Sequence, residues 1–294
     1  MKTLTIIGAT GLLGSSVTRE LIKKGVHIKA VVRDIEKAED LLPEQVEIVY
    51  GDVANKESLK EALQGAETVY LSLNTTGWNV DAPFHTEREG IMNVIDVSKE
   101  LGVKHIMQIV GIDLSNPEFA VKGLTYKTNL IRKPAMDYLK ASGINYTYFH
   151  GSFFLDSFPV FIQGGEFAII GDHKYPMFYT NTLDLAENIY HALNNELAYN
   201  QSFTVQGLEG LSFPEAAKRF LSLYDPSVTV KEYPMETIKH LGLPSREEEA
   251  FMEHLLTYVE QLKEEQVSEK TWKVLGKPSH TIEDVASKML ENGR

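Results

Sequence analysis

Apolar residues follow two alternating patterns along the first half of the chain. Short runs that are rich in β-branched residues and apolar nearly throughout occur at residues 4–7, 28–32, 47–50, 68–73 and 105–110. Strands of a parallel sheet that are buried on both faces have this composition. Between the runs, apolar residues recur at the spacing of one helix face, and three of these helices are followed by glycines suited to a left-handed cap, Gly25, Gly65 and Gly102. The alternation predicts consecutive βαβ units.

The pattern changes after residue 150. Before that point, a helical stretch at 125–141 and an apolar run at 144–149 predict one more helix and strand. Beyond it, residues 164–180 carry turn residues between two short apolar runs, which predicts a hairpin. The elements predicted further on are a helix at 182–195, a strand at 201–207 that can rejoin the main sheet, and mainly helices from residue 211, including an amphipathic one at 245–264.

Three glycines separate the first predicted strand from the first predicted helix, in "TIIGATGLLGSSV" at residues 5–17. In a dinucleotide-binding fold the pyrophosphate lies against the amino end of this helix, where a side chain would block it. We expect Gly8 to permit the sharp turn, Gly11 to let the backbone approach the phosphates, and Gly14 to let the helix pack closely on the strand. A tight packing turn without a ligand is the alternative. Other cofactor contacts are expected from this turn and from the end of the fourth strand, at Thr10, Leu12, Leu13, Leu73 and Asn74.

The ends of the second and third strands bear on the choice of dinucleotide. The second strand ends in "VVRD", where Arg33 suits the 2′-phosphate of NADP, whereas an acidic residue would bind the ribose hydroxyls of NAD. Asp34 follows directly and is the argument for NAD. At the third strand, Asp52 can accept a hydrogen bond from the adenine amine while Val53 packs on the ring. The sequence favours NADP, with NADPH preferred over NADH.

Composition excludes several kinds of protein. The chain has 294 residues, 43% of them hydrophobic, no cysteine and a net charge of −12. The charge disfavours nucleic acid, and the lack of cysteine excludes disulfides and thiolate chemistry. No apolar run approaches the roughly 20 residues of a membrane span, and the short, glycine-broken apolar run at the start argues against a signal peptide, so we expect a cytoplasmic protein. The spacing of His85, Glu87 and Glu89 suits no common metal site, and we predict none.

Several segments together carry a family resemblance: "TIIGATGLLGSSV", "VVRD", "GDVANKESLKEAL", "NVIDVSKELGVKHIMQIV" and "LKASGINYTYFHGSFFLDSF". Over roughly residues 1 to 220 the chain resembles the NmrA-like branch of the atypical short-chain dehydrogenases/reductases. The resemblance implies NADP as cofactor and an α/β fold, a Rossmann-type doubly wound parallel sheet with a smaller, mainly helical C-terminal substrate domain. We place the NAD(P)-binding domain at 1–150, with 180–206 returning to it, and the substrate domain at 151–179 and 207–294.

The usual catalytic set of short-chain reductases is missing. They use a Tyr-x-x-x-Lys pair, but Tyr126 has Leu130 four residues on, and the fifth strand ends in "QIVGID" where serines are expected. NmrA-like reductases of the isoflavone-reductase type resemble this chain in a lysine that Lys133 matches. A lysine beside the nicotinamide can hydrogen-bond the ribose and protonate a carbonyl oxygen. Pro134 disfavours the helical conformation at Lys133, so a solvated turn is the alternative.

Four more residues complete the candidate site. His150 and Tyr126 are other possible proton donors, although the histidine is equally suited to holding the loop after the sixth strand. Phe153 and its neighbour Phe154 resemble the family's aromatic residues beneath the nicotinamide, with ordinary core as the alternative.

The leading hypothesis is an NADPH-dependent oxidoreductase, a monomer or homodimer, that transfers hydride to a small carbonyl or quinone-like acceptor. The alternative is a non-catalytic NADP(H)-sensing regulator of the NmrA type that acts through a protein partner. A sugar-nucleotide epimerase would need the missing tyrosine–lysine pair. Loops around 75–85, 152–180 and 230–260 would set the substrate.

Overall fold

A seven-stranded parallel sheet forms the centre of the computed structural model, which describes residues 2–74, 79–121 and 123–291. Residues 75–78, in one of the loops expected to set the substrate, lie outside the described residues. The strands of the described chain are β1 (Thr3–Ile7), β2 (His27–Val32), β3 (Glu47–Tyr50), β4 (Thr68–Leu71), β5 (His105–Gly111), β6 (Asn145–Gly151), β7 (Ile162–Gln163), β8 (Glu166–Ile170), β9 (Gln201–Val205) and β10 (Thr229–Tyr233). The main sheet has the order β3-β2-β1-β4-β5-β6-β9. All its neighbours pair in parallel, so the predicted Rossmann-type fold is confirmed.

Helices cover both faces of this sheet. They are α1 (Leu12–Lys23), α2 (Ile35–Leu41), α3 (Lys56–Ala62), α4 (Ile91–Leu101), α5 (Lys127–Ala141), α6 (Thr182–Leu193), α7 (Phe213–Tyr224), α8 (Arg246–Gln261), α9 (Glu269–Leu275) and α10 (Ile282–Glu291). One core layer joins β1 and β2 to α1 and α6, through residues such as Val17, Leu21 and Ile189. The other joins the opposite face to α3, α4 and α5, through residues such as Leu59 and Leu139. None of the helices described is long and apolar enough to cross a membrane.

The second half contains one strand pairing that the sequence misplaced. The run at 166–170 was expected to pair with the run that ends at Thr180. Instead β8 pairs antiparallel with β7 across Gly164 and Gly165, both of which have positive φ, and in parallel with β10. Met177 and Thr180 make single bridges to Leu211 and Phe154. The hairpin prediction is therefore wrong in its partner, whereas β9 does join the main sheet beside β6.

The topology fixes where a ligand can bind. Strands β2 and β3 extend the sheet on one side of β1, and β4, β5, β6 and β9 extend it on the other. Chain connections therefore diverge between β1 and β4, which leaves a crevice at the carboxyl ends of these two strands. The functional site should lie at this edge.

Candidate functional site

A cavity of about 340 Å³ lies at the carboxyl ends of the central strands. Its walls come from the turn after β1, from the ends of β4, β5 and β6, from α5 and from the segment after β6. The lining residues are Gly11, Leu12, Leu13, Ser72, Leu73, Asn74, Glu87, Ile109, Val110, Gly111, Arg132, Gly151, Ser152, Phe154 and Ser157. The structure thus brings together five of the predicted cofactor-binding residues, from Gly11 to Leu13 and at Leu73 and Asn74.

The three glycines differ in what they contact. Gly8 has φ of +94°, and a Cβ there would overlap the carbonyl oxygen of Ser72. A Cβ on Gly14 would overlap the carbonyl oxygen of Gly8 and lie 3.0 Å from its carbonyl carbon. A Cβ on Gly11 would meet protein only at the Gly8 oxygen, 3.3 Å away. Gly8 and Gly14 are therefore required by the protein's own packing, whereas the space beside Gly11 belongs to the cavity.

Helix α1 presents its amino end to this space. Gly11 occupies the N-cap position, and no side chain of the described residues caps the first turn. The amide groups there carry a partial positive charge and lack partners within the helix. A dinucleotide pyrophosphate would satisfy them, and the open approach past Gly11 fits such a group. Thr10, between Gly8 and Gly11, lies in the same turn and does not line the cavity.

Residues predicted to bind the adenosine lie outside the cavity, at the same edge of the sheet. Arg33 is exposed where β2 ends. The Asp34 carboxylate accepts a hydrogen bond from the backbone N–H of Lys37 at 3.0 Å and so caps α2. Asp52 is half-buried, and its carboxylate accepts from the Ala54 amide at 2.9 Å. Val53 is buried, and its side chain packs directly against Gly90.

Lys133 does not reach the cavity. Its side chain is 64% exposed, and its ammonium pairs with Asp137 one turn along α5, 2.6 Å away. The helix runs unbroken through Pro134, so no turn forms at this point, although Lys133 is solvated as that alternative expected. The prediction of Lys133 as a catalytic and cofactor-binding residue is therefore wrong, because its position on α5 directs the side chain to solvent.

Arg132, one residue earlier, lines the cavity instead. Its Nε donates to Glu87 Oε1 at 2.9 Å, and its Nη1 donates to Thr128 Oγ1 at 3.3 Å. The Glu87 side chain is only 2% exposed and also lines the cavity. Arg132 lies four residues after Thr128 and four residues before Met136, both of which are buried, so all three share one face of α5. This spacing is the sequence signal that could have identified Arg132 as inward-facing. The site thus contains a buried guanidinium–carboxylate pair that sequence reasoning missed.

The other two predicted proton donors also lie away from the cavity. Tyr126 stacks on Tyr258 of α8, with ring centroids 4.8 Å apart, and burial raises its pKa. His150 is 1% exposed, and its Nδ1 donates to the Gly111 carbonyl at 3.1 Å. Burial lowers the pKa of His150 to about 4, so the imidazole is neutral near pH 7. Both are corrected to packing residues that support the walls of the cavity.

Phe153 and Phe154, both compared with aromatic residues beneath a nicotinamide, have different surroundings. Phe153 packs among the aromatic side chains of the C-terminal part, with its ring centroid 5.4 Å from that of Phe213. Phe154 lines the cavity, where its ring lies against Gly151. The aromatic wall is therefore Phe154, because alternate side chains of this extended segment face opposite sides.

His85, Glu87 and Glu89, whose spacing suits no common metal site, each have partners within the protein. The ring of His85 hydrogen-bonds the Asn79 carbonyl at 2.8 Å, Glu89 accepts from the His85 amide at 2.7 Å, and Glu87 pairs with Arg132. Within residues 2–74, 79–121 and 123–291, no group of three side chains is arranged to hold a metal ion.

A buried polar network on the far side of the cavity was not anticipated either. Ser152, in the cavity wall, is hydrogen-bonded through its Oγ to Glu264 Oε1 across 2.7 Å. Glu264 follows α8 and is 6% exposed. The contact joins positions 112 residues apart, so no local pattern could have revealed it.

Comparison with known proteins places this geometry in a family. Residues 8–196 match the family described as NAD(P)H-binding. Among relatives, the NAD(P)H azoreductase of Xenophilus azovorans is 25% identical over 293 residues, covering 96% of each chain. The photosystem II assembly factor Ycf39 of Trieres chinensis is 23% identical over 80% of this chain and 73% of that protein. An NmrA-like family domain-containing oxidoreductase of Malbranchea aurantiaca is 30% identical over 38% of this chain and 35% of that protein.

Solved structures agree on the fold. The triphenylmethane reductase of Citrobacter sp., complexed with NADP(H), matches with a TM-score of 0.74 and 19% identity, covering 98% of this chain and 100% of that one. An NADPH-dependent quinone oxidoreductase of Escherichia coli, complexed with NADPH, matches with a TM-score of 0.72 and 21% identity, over 97% and 99% of the two chains. The predicted resemblance to NmrA-like proteins is confirmed. With the glycine turn, the uncapped α1 and more than half of the chain matched, this protein belongs to the NAD(P)H-binding family.

Proposed function

We propose that the protein is an NADPH-dependent oxidoreductase that transfers hydride to a small carbonyl or quinone-like acceptor. The observation that carries the proposal is the continuity of one cavity from Gly11 at the amino end of α1 to Arg132 and Ser152. A dinucleotide bound at the first end would leave its reactive ring near the polar residues and Phe154. Relatives named as an azoreductase and as a quinone oxidoreductase support this class of acceptor.

The chain's own residues have distinct parts in this function. The amides of α1 would bind the pyrophosphate, and Asn74 and Leu73 would lie beside the nicotinamide. When bound, the nicotinamide supplies the hydride. Arg132 offers N–H donors to an oxygen of the acceptor or ribose, held in place by Glu87. Apolar walls from Ile109, Val110 and Phe154 exclude water from the reacting groups.

Preference for NADPH follows from the end of β2. The carboxylate of Asp34 is engaged in capping α2, which leaves the exposed Arg33 as the charged side chain available to a 2′-phosphate. A guanidinium meets a phosphate with paired, charge-assisted hydrogen bonds, whereas the 2′-hydroxyl of NADH offers a single neutral partner.

The test is turnover and binding measured together. Loss of NADPH absorbance is followed against panels of quinones, aldehydes, ketones and azo dyes, and NADPH affinity is measured by fluorescence. Turnover with at least one acceptor is the expected result. Tight NADPH binding without turnover on any acceptor would instead favour the alternative of a cofactor-sensing regulator. Three observations support that alternative: the absent tyrosine–lysine pair, the outward-facing Lys133 and the relative named as an assembly factor.

A further inference from the structure

A buried carboxyl group lies directly behind the cavity wall. Glu264 Oε1 is 2.7 Å from Ser152 Oγ, and both residues are 6% exposed. The other carboxyl oxygen, Oε2, accepts from the Phe178 amide and from Nε2 of Gln206, each at 3.2 Å. All three of these hydrogen-bond partners are uncharged groups, so no cation offsets a negative charge on Glu264 through them.

The donors on Oε2 determine where a proton on Glu264 must reside. A backbone amide and a side-chain amide can only donate through N–H, so Oε2 keeps both bonds only as an acceptor. A proton on the carboxyl group therefore belongs on Oε1, between it and Ser152 Oγ. In that state Glu264 donates to Ser152, and the hydroxyl hydrogen of Ser152 is released for a partner in the cavity. An ionised Glu264 instead holds that hydrogen for itself.

The surroundings favour the neutral carboxyl. Burial raises the pKa of Glu264 above its ordinary value. The end of β6 contributes Ser152, the end of β9 contributes Gln206, and the segment before α6 contributes the Phe178 amide and the buried, neutral phenol of Tyr179. The adjacent Lys263 places its ammonium 4.5 Å from the centre of the Tyr175 ring. No ion pair to Glu264 exists among the residues described.

Ser152 is held rigidly in this position. Its backbone N–H donates to Thr180 Oγ1 at 2.9 Å, and that hydroxyl donates in turn to the Val205 carbonyl at 2.7 Å. Among the polar groups of the cavity wall, Arg132 retains its proton at any physiological pH and so cannot release one. Ser152 is the wall hydroxyl that hydrogen-bonds a buried carboxyl group with no cation paired to it among the residues described.

We propose that Ser152 is the proton donor to the acceptor and that Glu264 is the positioning residue that reloads it. The relay rests on the proposed function. As hydride reaches the acceptor carbon, the π electrons of the C=O bond move to its oxygen, which takes the Ser152 hydroxyl proton. The serine oxygen recovers a proton from Glu264 Oε1, leaving a carboxylate. After the product departs, solvent entering the cavity returns one proton to Glu264 through Ser152.

Three variants separate the relay from a merely structural contact. Ser152→Ala removes the donor. Glu264→Gln keeps its carbonyl oxygen toward Phe178 and Gln206 and its NH₂ toward Ser152, so the geometry is retained but no proton can be supplied. Glu265→Gln makes the same chemical change at the neighbouring, exposed carboxylate and is the matched control. NADPH affinity, kcat against pH and infrared absorption of neutral carboxyl groups are measured for each protein.

General acid catalysis contributes about 10²- to 10⁴-fold, so both Ser152→Ala and Glu264→Gln should lower kcat by at least roughly 100-fold with NADPH affinity within about twofold of wild type. Wild type should show a neutral-carboxyl infrared band near pH 7 that Glu264→Gln lacks and Glu265→Gln keeps. The alkaline fall of kcat, at the pH where this band is lost, should be absent in Glu264→Gln. If Ser152→Ala and Glu264→Gln both keep the kcat of wild type, or if no infrared band can be assigned to Glu264, the relay is overturned and the proposed function is not. A wild type that reduces no acceptor would overturn the proposed function and the relay with it.

Discussion

The close approach of α1 to the turn after β1 yields a quantitative prediction about Gly14. A Cβ there would overlap the Gly8 carbonyl oxygen and lie 3.0 Å from the Gly8 carbonyl carbon and 3.2 Å from the Ala9 Cα. Carbon atoms pack favourably at about 3.5–4.0 Å, so relieving the two carbon contacts moves the helix by roughly 0.5–1 Å, and relieving the overlap with the oxygen moves it further. All three neighbours are backbone atoms, which cannot rotate aside. The added methyl group therefore displaces the helix rather than a side chain.

This displacement has an estimable effect on stability. Overpacking of this kind costs about 1–3 kcal/mol or more, and the better helix propensity of alanine returns up to about 1 kcal/mol. Because all three contacts are with backbone, the cost falls at the upper end of this range, and Gly14→Ala should lower the unfolding free energy of the cofactor-free protein by about 2 kcal/mol, a fall in Tm of several degrees. Urea unfolding without NADPH measures it. The variant should also bind NADPH more weakly, because the α1 amides shift with the helix.

Gly11→Ser is the matched variant at the ligand side of the same turn. Gly11 has φ of −74° and ψ of 168°, which serine adopts without strain, and serine is a preferred N-cap residue. The cofactor-free protein should therefore keep its stability within about 0.5 kcal/mol. NADPH affinity should fall about 10-fold or more, since the side chain occupies the phosphate's approach and competes for the amides. Equal losses of stability in the two variants, or wild-type NADPH affinity in Gly11→Ser, would refute the distinction between packing and binding glycines.

Three further outcomes are expected. Wild type should bind NADPH roughly 10- to 100-fold more tightly than NADH by fluorescence, and Arg33→Asp should reverse the order; equal wild-type affinities would remove the NADP assignment. Lys133→Ala should change stability by less than about 0.5 kcal/mol and leave kcat within twofold, whereas Arg132→Ala should lower kcat/KM at least about 10-fold; the opposite ranking would restore the lysine to the site. His280 Nδ1 is hydrogen-bonded to Asp184 Oδ1 at 2.7 Å, and this bond raises the pKa of His280 in the folded protein. The protonated histidine therefore contributes its full stabilisation below about pH 6.5, and this stabilisation is lost as the pH rises through the raised pKa of the folded state. The urea midpoint of His280→Gln should not fall over this pH range as that of wild type does. If it falls as in wild type, another group causes the loss of stability.

Local patterns were sufficient for most of the main sheet. The runs that became β1, β2 and β3 are apolar and bounded by glycine or polar residues, so their periodicity alone located them to within a residue or two. Strand β10 was missed because two of the five residues in its sequence, "TVKEY", are charged and none of the five is buried. Its pairing with β8 depends on a neighbour 63 residues earlier in the chain, at Glu166 opposite Thr229.

The contrast between local and long-range contacts also explains which site residues could be predicted. The glycine turn could be predicted because its function is local: one strand, one turn and one helix bring the amides together. The acceptor end is built from five separate segments, and which side chain faces it depends on the rotation of each. A step of one residue turns a helix by about 100°, so the resemblance that pointed to Lys133 selected the right helix turn and the wrong face.

The residues proposed to take the place of the tyrosine–lysine pair of ordinary short-chain reductases need not repeat its arrangement. Those two side chains share one helix, and the structure instead places a charged hydrogen-bond donor, Arg132, on α5 and a hydroxyl, Ser152, after β6. The hydroxyl depends on Glu264, which reaches it from the segment after α8. Catalytic competence would then require the C-terminal part to be docked on the sheet, because without it Ser152 has no acid behind it. An enzyme built in this way makes the loading of its proton donor depend on the docking of a segment distant in sequence, which a tyrosine–lysine pair on a single helix does not do.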